Sequence, residues 1–192
     1  MTAWFALTQG RFRQAVDAAQ RGQAVAQSSS VHVQLIAQEA KAKARLGEAG
    51  LSTLLATGKE MLDRLPYPDR PDNHFKVDPA KWDYHAMDVH RIAGDDELAT
   101  QYATTVIDDN TSPDGSEFSP MRIAESRITL GIMAGRAGDL EQAVELGKTG
   151  LRNGRQSKVQ LLMVAGELDR ELRDRFRGEG LVIEFEETLR AV

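Results

Sequence analysis

The sequence contains no cysteine and few aromatic residues. The absence of cysteine excludes a disulfide framework, a thiol nucleophile and a thiolate zinc site, and it fits the reducing cytoplasm, where we expect this protein to reside. Aromatic residues make up only 6% of the 192 residues, whereas the strands of a β-sandwich are rich in aromatic and β-branched side chains. Alanine and leucine are plentiful instead, which favours tightly packed helices.

A long hydrophobic run and a strong positive charge are also missing. No apolar stretch approaches the roughly 18 residues that a membrane-spanning helix needs. The first residues, MTAWFALTQGRFRQ, do not have the charged start and apolar core of a secretion signal. We therefore expect no membrane association. The formal net charge of −5 argues against direct nucleic-acid contact, because phosphate binding depends on concentrated lysine and arginine.

A short pattern that begins with glycine occurs four times in the chain. The glycines are 37, 47 and 44 residues apart: Gly10, Gly47, Gly94 and Gly138. The residues five and nine positions after each glycine are all small: Ala15, Ser52, Ala99, Ala143, and then Ala19, Ala56, Ala103, Gly147. Glycine can adopt the positive φ that ends a helix, and small residues one turn apart let a neighbouring helix approach closely. The pattern predicts repeated helical hairpins.

These hairpins predict an all-α fold with negligible strand content, in a single domain over residues 1–192. The repeat-like units are about 1–28, 30–65, 79–110 and 119–153, with capping helices over 157–190. Their helices are predicted near 11–26, 30–46, 48–65, 79–93, 95–109, 119–137, 139–153, 157–176 and 180–190. The first helix, before Gly10, is short, as if the chain began inside a larger array. Asp78 and Ser119 each precede a proline, which is typical of an N-cap followed by the first helical residue.

One repeat carries a resemblance to a known family. The segment from Ala124 to Leu151, AESRITLGIMAGRAGDLEQAVELGKTGL, resembles a tetratricopeptide repeat. It departs from that family at Gly150, where alanine is usual, and matches it at Leu130, Gly131, Ala134, Gly138, Asp139, Ala143 and Leu151. The resemblance implies that the hairpins form a right-handed stack, an α-solenoid.

A narrower resemblance covers the chain from about Pro66 to its C-terminus. The segments DNHFKVDPAKWDYHAMDVHRIAGDDELA, PMRIAESRITLGIMAGRAGDLEQAV and SKVQLLMVAGEL are similar to the C-terminal sensor region of actinobacterial, Streptomyces-type, helix-turn-helix transcriptional regulators. The resemblance implies a regulatory sensor. This chain itself shows no helix-turn-helix DNA-binding unit.

In the tetratricopeptide family, the first helix of each hairpin lines a concave groove that holds an extended peptide. The matching positions here include five basic residues and two acidic ones, and the ligand-groove candidates are Lys41, Arg45, Lys81, Tyr84, Asp88, Arg91, Glu125 and Arg136. Arg91 is the preferred anchor for an acidic ligand, because a guanidinium group binds a carboxylate through two hydrogen bonds, and Tyr84 would supply an apolar wall. The simpler alternative is a solvated helix face.

The sequence gives no support for catalysis, a metal or a cofactor. His85 lies in an apolar stripe with Trp82 and is expected to be packed, and His74, His85 and Asp88 do not have a recognised ligand spacing. Asp88 and Glu125 could form a carboxylate pair, but no catalytic motif accompanies them. We therefore predict a non-enzymatic module that binds a peptide, a protein segment or a small effector.

Two alternative functions stay open on the sequence alone. One is a small-molecule sensor whose pocket uses Trp82, Tyr84, Phe75 and the proline-rich loop 66–79, which holds four of the six prolines. The other is a structural dimerisation domain, in which case the protein would be a homodimer.

The small-residue pattern leads to a first prediction. Replacing Ala143 with leucine should overpack the crossing between two helices and lower the free energy of unfolding by about 1–3 kcal/mol. The measurement is thermal or urea unfolding followed by circular dichroism. An unchanged melting temperature would show that the helices do not pack through this position.

Overall fold

The computed structural model describes residues 2–27, 29–69, 76–152 and 158–192. The prediction of an all-helical chain is confirmed for these residues, in which no strand occurs and the one β-bridge joins Thr111 to Glu117. The helices described are α1 (Thr2–Thr8), α2 (Phe12–Ala26), α3 (Ser30–Arg45), α4 (Leu51–Asp63), α5 (Pro79–Ala93), α6 (Asp96–Asp109), α7 (Pro120–Ala137), α8 (Leu140–Leu151), α9 (Val159–Arg175) and α10 (Gly180–Arg190).

Most helix boundaries fall close to their predicted positions, but α4 does not. The prediction placed its start at residue 48, whereas the helix begins at Leu51. Gly47 and Gly50 both have positive φ, at 68° and 85°, so this turn is longer than the other three. A longer turn changes which residues of α4 face the core.

The small-residue prediction is therefore wrong at the second turn. Ser52 and Ala56 are exposed, and α4 buries Leu55, Gly58 and Leu62 instead. Gly58 takes the small position, because an added Cβ would lie 2.1 Å from the ring of Trp82. The close approach of two helices is thus retained, but at a different residue.

At the other three turns the prediction is confirmed. Six positions lie five or nine residues after the glycines of these three turns. Buried Gly147 occupies one of them, and fully buried alanines occupy the other five: Ala15, Ala19, Ala99, Ala103 and Ala143. All four predicted turn glycines have positive φ. Helix approach through small side chains is therefore a feature of the α1–α2 and α7–α8 hairpins.

The N-cap predictions have different outcomes. The side chain of Asp78 accepts a hydrogen bond from the Lys81 backbone N–H at 2.8 Å, as an N-cap residue should. Ser119 precedes Pro120 at the start of α7, but its side chain makes no capping hydrogen bond. Ser119 therefore occupies the predicted N-cap position, but the proline with its fixed φ, and not a side-chain hydrogen bond, marks the helix start there.

The chain divides into two compact units. Unit 1 is Met1–Asp95 and unit 2 is Asp96–Val192. The boundary separates α5 from α6, which the sequence analysis placed in one repeat-like unit over 79–110. The single-domain description and the repeat boundaries stay predictions, and each unit is described by itself.

In unit 1, α3 is the central helix. It contacts α1, α2, α4 and α5, and α1 also contacts α2. One apolar cluster joins α1, α2 and α3 through Leu7, Val16 and Ala42. On the other side of α3, Trp82 of α5 packs on Gly58 of α4. The odd-numbered helices of this unit form a contacting row, α1–α3–α5.

In unit 2, α7 has the central place. It contacts α6, α8 and α9, while α10 packs on α8 and α9. A large apolar cluster contains residues of all these helices, including Ala99, Ile128, Val144, Leu168 and Phe185. The odd-numbered α7 and α9 are again in contact.

The close approach of α7 to α8 explains why position 150 is a glycine. A Cβ at this position would lie 2.8 Å from the Ala124 carbonyl oxygen and 2.7 Å from Cγ1 of Ile128. Because a backbone oxygen cannot move away as a flexible side chain can, glycine is required here. Alanine at this position would force the two helices apart.

No helix in the described part of the chain has both the length and the apolar character that crossing a membrane requires.

Two glycine substitutions in unit 2 test this packing against a matched control. Gly150→Ala should lower the free energy of unfolding by about 1–3 kcal/mol, because the new methyl group meets a backbone oxygen. Gly166→Ala, in the middle of α9, meets nothing within 4 Å, so it should raise the free energy of unfolding by about 0.5–1 kcal/mol through better helix propensity. Denaturant unfolding measures both, and equal effects of the two variants would contradict this description of the α7–α8 contact.

Candidate functional site

Five of the predicted groove residues meet between α3 and α5 of unit 1. Lys41 and Arg45 are four residues apart on α3, so they share one helical face. On α5, Tyr84, Asp88 and Arg91 recur at intervals of four and three residues and share a face in the same way. Because α3 and α5 pack together, the two faces form one polar cluster. We call these five residues the α3–α5 cluster.

Asp88 is the centre of the α3–α5 cluster. Its Oδ2 lies 2.9 Å from Nζ of Lys41, and its Oδ1 forms an ion pair with Arg91. Nη2 of Arg45 is 3.9 Å from the same Oδ1. Nζ of Lys41 also lies 4.7 Å from the ring centroid of Tyr84, in a cation–π arrangement. One carboxylate thus holds three cationic side chains from two helices.

The positive charges around Asp88 dominate its titration. Burial alone would raise the pKa of this carboxyl group, since it disfavours the charged form. The charges of Arg91, Lys41 and Arg45 outweigh burial and hold the pKa of Asp88 far below its usual range. Arg91, Lys41 and Arg45 therefore favour the ionised form of Asp88.

The α3–α5 cluster is buried. The side chains of Lys41, Asp88 and Arg91 are each 1% exposed, Arg45 is 6% exposed and Tyr84 is also buried. The expectation of an open groove at these residues is not met. Reversing Arg91 to glutamate would place two carboxylates together in the interior and should destabilise the folded protein.

The three remaining predicted groove residues have other environments. Lys81, on α5, is half-buried, and its Nζ donates to the Lys76 carbonyl oxygen at 2.8 Å. In unit 2, Glu125 is buried and accepts a hydrogen bond from Nε2 of Gln160 at 3.1 Å. Arg136 is partly exposed and pairs with Asp96 at 2.5 Å and with Glu171 at 3.3 Å. Lys81 and Arg136 are thus the predicted residues that reach solvent.

The histidine and tryptophan predictions concern packing. His85 is buried, as expected for a packed histidine, and its Nε2 lies 3.3 Å from the Gln34 amide nitrogen. Trp82 is buried against Gly58, so it is a core residue and not a stacking platform. His74 and Phe75 lie outside the described residues. Within the described residues, no group of three or more histidine and carboxylate side chains is placed to hold a metal ion.

The comparisons with known proteins give no relative. Neither a protein-family model nor a curated protein nor a solved structure matches this chain. The site is therefore interpreted from its own geometry.

The structure shows a polar pattern that the sequence analysis missed. Among the described helices, every buried polar or charged side chain lies on an odd-numbered helix: Gln38, Glu39 and Lys41 on α3; His85, Asp88 and Arg91 on α5; Glu125, Ser126 and Thr129 on α7; Gln160 and Asp169 on α9. The even-numbered helices bury small and apolar residues alone. Along α3, the polar residues Gln34, Gln38, Lys41 and Arg45 recur at helical spacing between apolar ones. A search for such spacing would have predicted the buried polar residues of α3.

Glu39 is an example of a buried carboxylate with several hydrogen-bond and ion-pair partners. Its carboxylate accepts hydrogen bonds from Gln20 at 2.8 Å and Gln23 at 2.7 Å, and it pairs with Lys43 at 2.8 Å. Burial favours the neutral form of Glu39, but the hydrogen bonds and the Lys43 charge prevail and lower its pKa. Glu39 is thus held by specific partners on α2 and α3.

An open hollow in unit 2 bears on the small-molecule alternative. It is lined by Gly138, Asp139, Glu141, Glu179 and Leu181. Small-molecule sites are mostly concave and apolar with a few converging polar groups, whereas this hollow is wide and acidic. It does not include Trp82, Tyr84 or the loop 66–79, so it lends no support to the pocket predicted there.

The α3–α5 cluster leads to a prediction about stability. Asp88→Asn should lower the free energy of unfolding by about 3–5 kcal/mol at neutral pH, because the buried cations lose their counter-ion. Since the pKa of Asp88 is lowered in the folded protein, its contribution is present above the usual aspartate pKa of about 4 and is lost as the pH falls below that value. The difference between wild type and variant should therefore shrink in acid. Urea unfolding at several pH values measures it.

Asp63 supplies the matched control. It is an exposed residue of the same unit, and it pairs with Lys59 on the helix surface. Asp63→Asn should change the free energy of unfolding by less than about 1 kcal/mol. If Asp88→Asn were as mild as Asp63→Asn, Asp88 would not hold the cluster together.

Proposed function

We propose that this chain is a non-catalytic binding module of the tetratricopeptide-like kind, and that it recognises an acidic peptide or protein segment in a regulatory role. The observation that carries the proposal is the confinement of buried polar residues to the odd-numbered helices. In a tetratricopeptide-like stack, those helices are the ones that face the ligand.

Energetics supports this interpretation of the polar residues. Burying a polar group costs free energy unless hydrogen bonds compensate for it, and burying a charge costs more. A helical bundle needs only apolar and small residues at its contacts, and the even-numbered helices meet that description. Packing alone therefore does not explain the charged residues of the odd-numbered helices, and in unit 1 they fix the spacing of α3 and α5 beneath the proposed contact surface.

The contacts within each unit support a repeat architecture. In unit 1 the odd-numbered helices contact each other in the order α1, α3, α5, and in unit 2 α7 contacts α9. The turns at Gly10, Gly47, Gly94 and Gly138 share a left-handed glycine. Such a row of first helices, with second helices packed on it, is the arrangement expected of stacked hairpins. A right-handed α-solenoid is the arrangement that we propose.

The accessible edge of the odd-numbered helices is the proposed contact surface. In unit 1, Lys81 and Gln34 are half-buried and reach solvent, whereas the α3–α5 cluster lies beneath and fixes the spacing of α3 and α5. Lys81, the predicted groove residue of unit 1 that reaches solvent, is basic, although the chain has a net charge of −5. A locally basic surface attracts an acidic segment by electrostatic steering.

The regulatory role is proposed from the resemblance of the region after Pro66 to regulator sensor domains. A sensor of this kind would change its partner's behaviour by binding a segment of it, without chemistry of its own. Nothing in the described side chains requires a metal or a cofactor for that role.

The test uses a peptide selected from a random display library against the wild-type chain. Lys81→Glu should weaken the affinity for such a peptide by about tenfold or more, corresponding to about 1.4 kcal/mol, since it reverses the charge on the proposed surface. The weakening should be larger at low salt than at high salt. Isothermal titration calorimetry measures both affinities, and circular dichroism verifies that the variant is folded.

Arg13→Glu is the control. Arg13 is exposed on α2, an even-numbered helix of the same unit, so its reversal should leave the affinity nearly unchanged. Peptides whose binding depends on Arg13 and not on Lys81 would contradict the proposal. A selection that yields no binding peptide would contradict it as well.

A further inference from the structure

The C-terminal helix α10 is attached to unit 2 by an apolar contact and a charged one. The apolar contact is formed by Phe185 and Val182, which are both buried. Phe185 sits on Gly147 of α8, where an added Cβ would lie 2.6 Å from its ring. This close fit places the next turn of α10 directly against α9.

The charged contact brings two carboxylates together. Asp169 of α9 is only 9% exposed, and its Oδ2 pairs with Arg173 at 2.7 Å. Arg173 also reaches Glu186 of α10, at 3.9 Å, and Arg190 pairs with Glu186 at 2.8 Å. A single arginine thus lies between the two carboxylates. Oδ1 of Asp169 is buried and has no hydrogen-bond donor among the described residues.

The other helices that pack on α9 and α10 direct their charges elsewhere. From α7, Arg136 pairs with Glu171 of α9, and from α8, Lys148 pairs with Glu184 of α10 at 2.5 Å. The charged groups that act on Asp169 are Arg170 and Arg173 on its own helix and Glu186 and Arg190 on α10. Glu186 is the one that repels an ionised Asp169.

We propose that α10 is a pH-responsive cap, which docks more tightly on α9 when Asp169 is protonated than when it is ionised. A proton on Asp169 removes the repulsion between the two carboxylates. It also turns a buried oxygen that lacks a donor into a hydroxyl group that can itself donate.

The direction of titration agrees with this geometry. Burial is the main cause that raises the pKa of Asp169, Glu186 adds to it, and Arg173 opposes it. Because the pKa is higher in the docked state than in a solvated one, docking is favoured at low pH and is weakened as the pH rises through the raised pKa. The change should occur above the usual aspartate range near pH 4.

Hydrogen exchange followed by mass spectrometry tests the proposal on the whole chain. After correction for intrinsic exchange rates, the amides of α10 should be protected about threefold or more better near pH 5 than near pH 7.5. The amides of α7 serve as the internal reference. Asp169→Asn, which carries no charge at either pH, should remove most of this difference between the two pH values.

Two further variants serve as a control and as a second test of the proposal. Asp174→Asn changes an exposed carboxylate on the same helix and should retain the wild-type pH dependence. Glu186→Gln removes the repelling partner and should reduce the difference even if Asp169→Asn does not fold. Protection of α10 that is independent of pH in the wild type, or that keeps its pH dependence in both Asp169→Asn and Glu186→Gln, would overturn the proposal.

Discussion

The structure depends on the close approach of helices, which is possible because alanine and glycine occupy the contacts. In α8, Ala143, Gly147 and Gly150 let α7, α9 and α10 come near enough to exclude larger residues. In unit 1, Gly58 does the same for Trp82. Protein interiors are packed as densely as organic crystals, so such contacts leave no room for a long polar side chain. The buried polar residues of the described helices lie on the odd-numbered helices instead.

Pairing of opposite charges explains why a charged cluster can exist inside a small helical unit. Lys41, Asp88 and Arg91 are nearly inaccessible, and a single unpaired charge there would be very unfavourable. Each has a partner of opposite charge on the same or the adjacent helix. Buried ion pairs contribute little to stability when compared with apolar residues of the same size, but they specify which faces meet. The α3–α5 cluster therefore fixes the register between two helices more than it strengthens them.

The positions of the helices could be predicted from the sequence, but the burial of their side chains could not. Left-handed glycines and small residues predict helix positions because these are local effects of backbone conformation and volume. The register of α4 was missed because Gly50 adds a second left-handed residue, which a search for one glycine per turn overlooks. The burial of Arg91 and Asp88 could not be predicted, since exposure depends on which helix lies opposite. Asp169 gave no signal, because its partner Glu186 belongs to a helix that the repeat pattern does not include.

The short reach of the contacts has a consequence for synthesis on the ribosome. The side-chain hydrogen bonds that join helices in unit 1 connect residues close in sequence, 16 positions apart for Gln23 and Glu39 and 51 for Gln34 and His85. A nascent chain can make such contacts as soon as the later partner leaves the exit tunnel, and loop closure over these distances is fast. Lys41 would thus be exposed to solvent until α5, which carries Asp88, leaves the ribosome. Lys41 is synthesised before its counter-ion Asp88. The hairpins that precede α5 must therefore stay soluble until Asp88 has been synthesised.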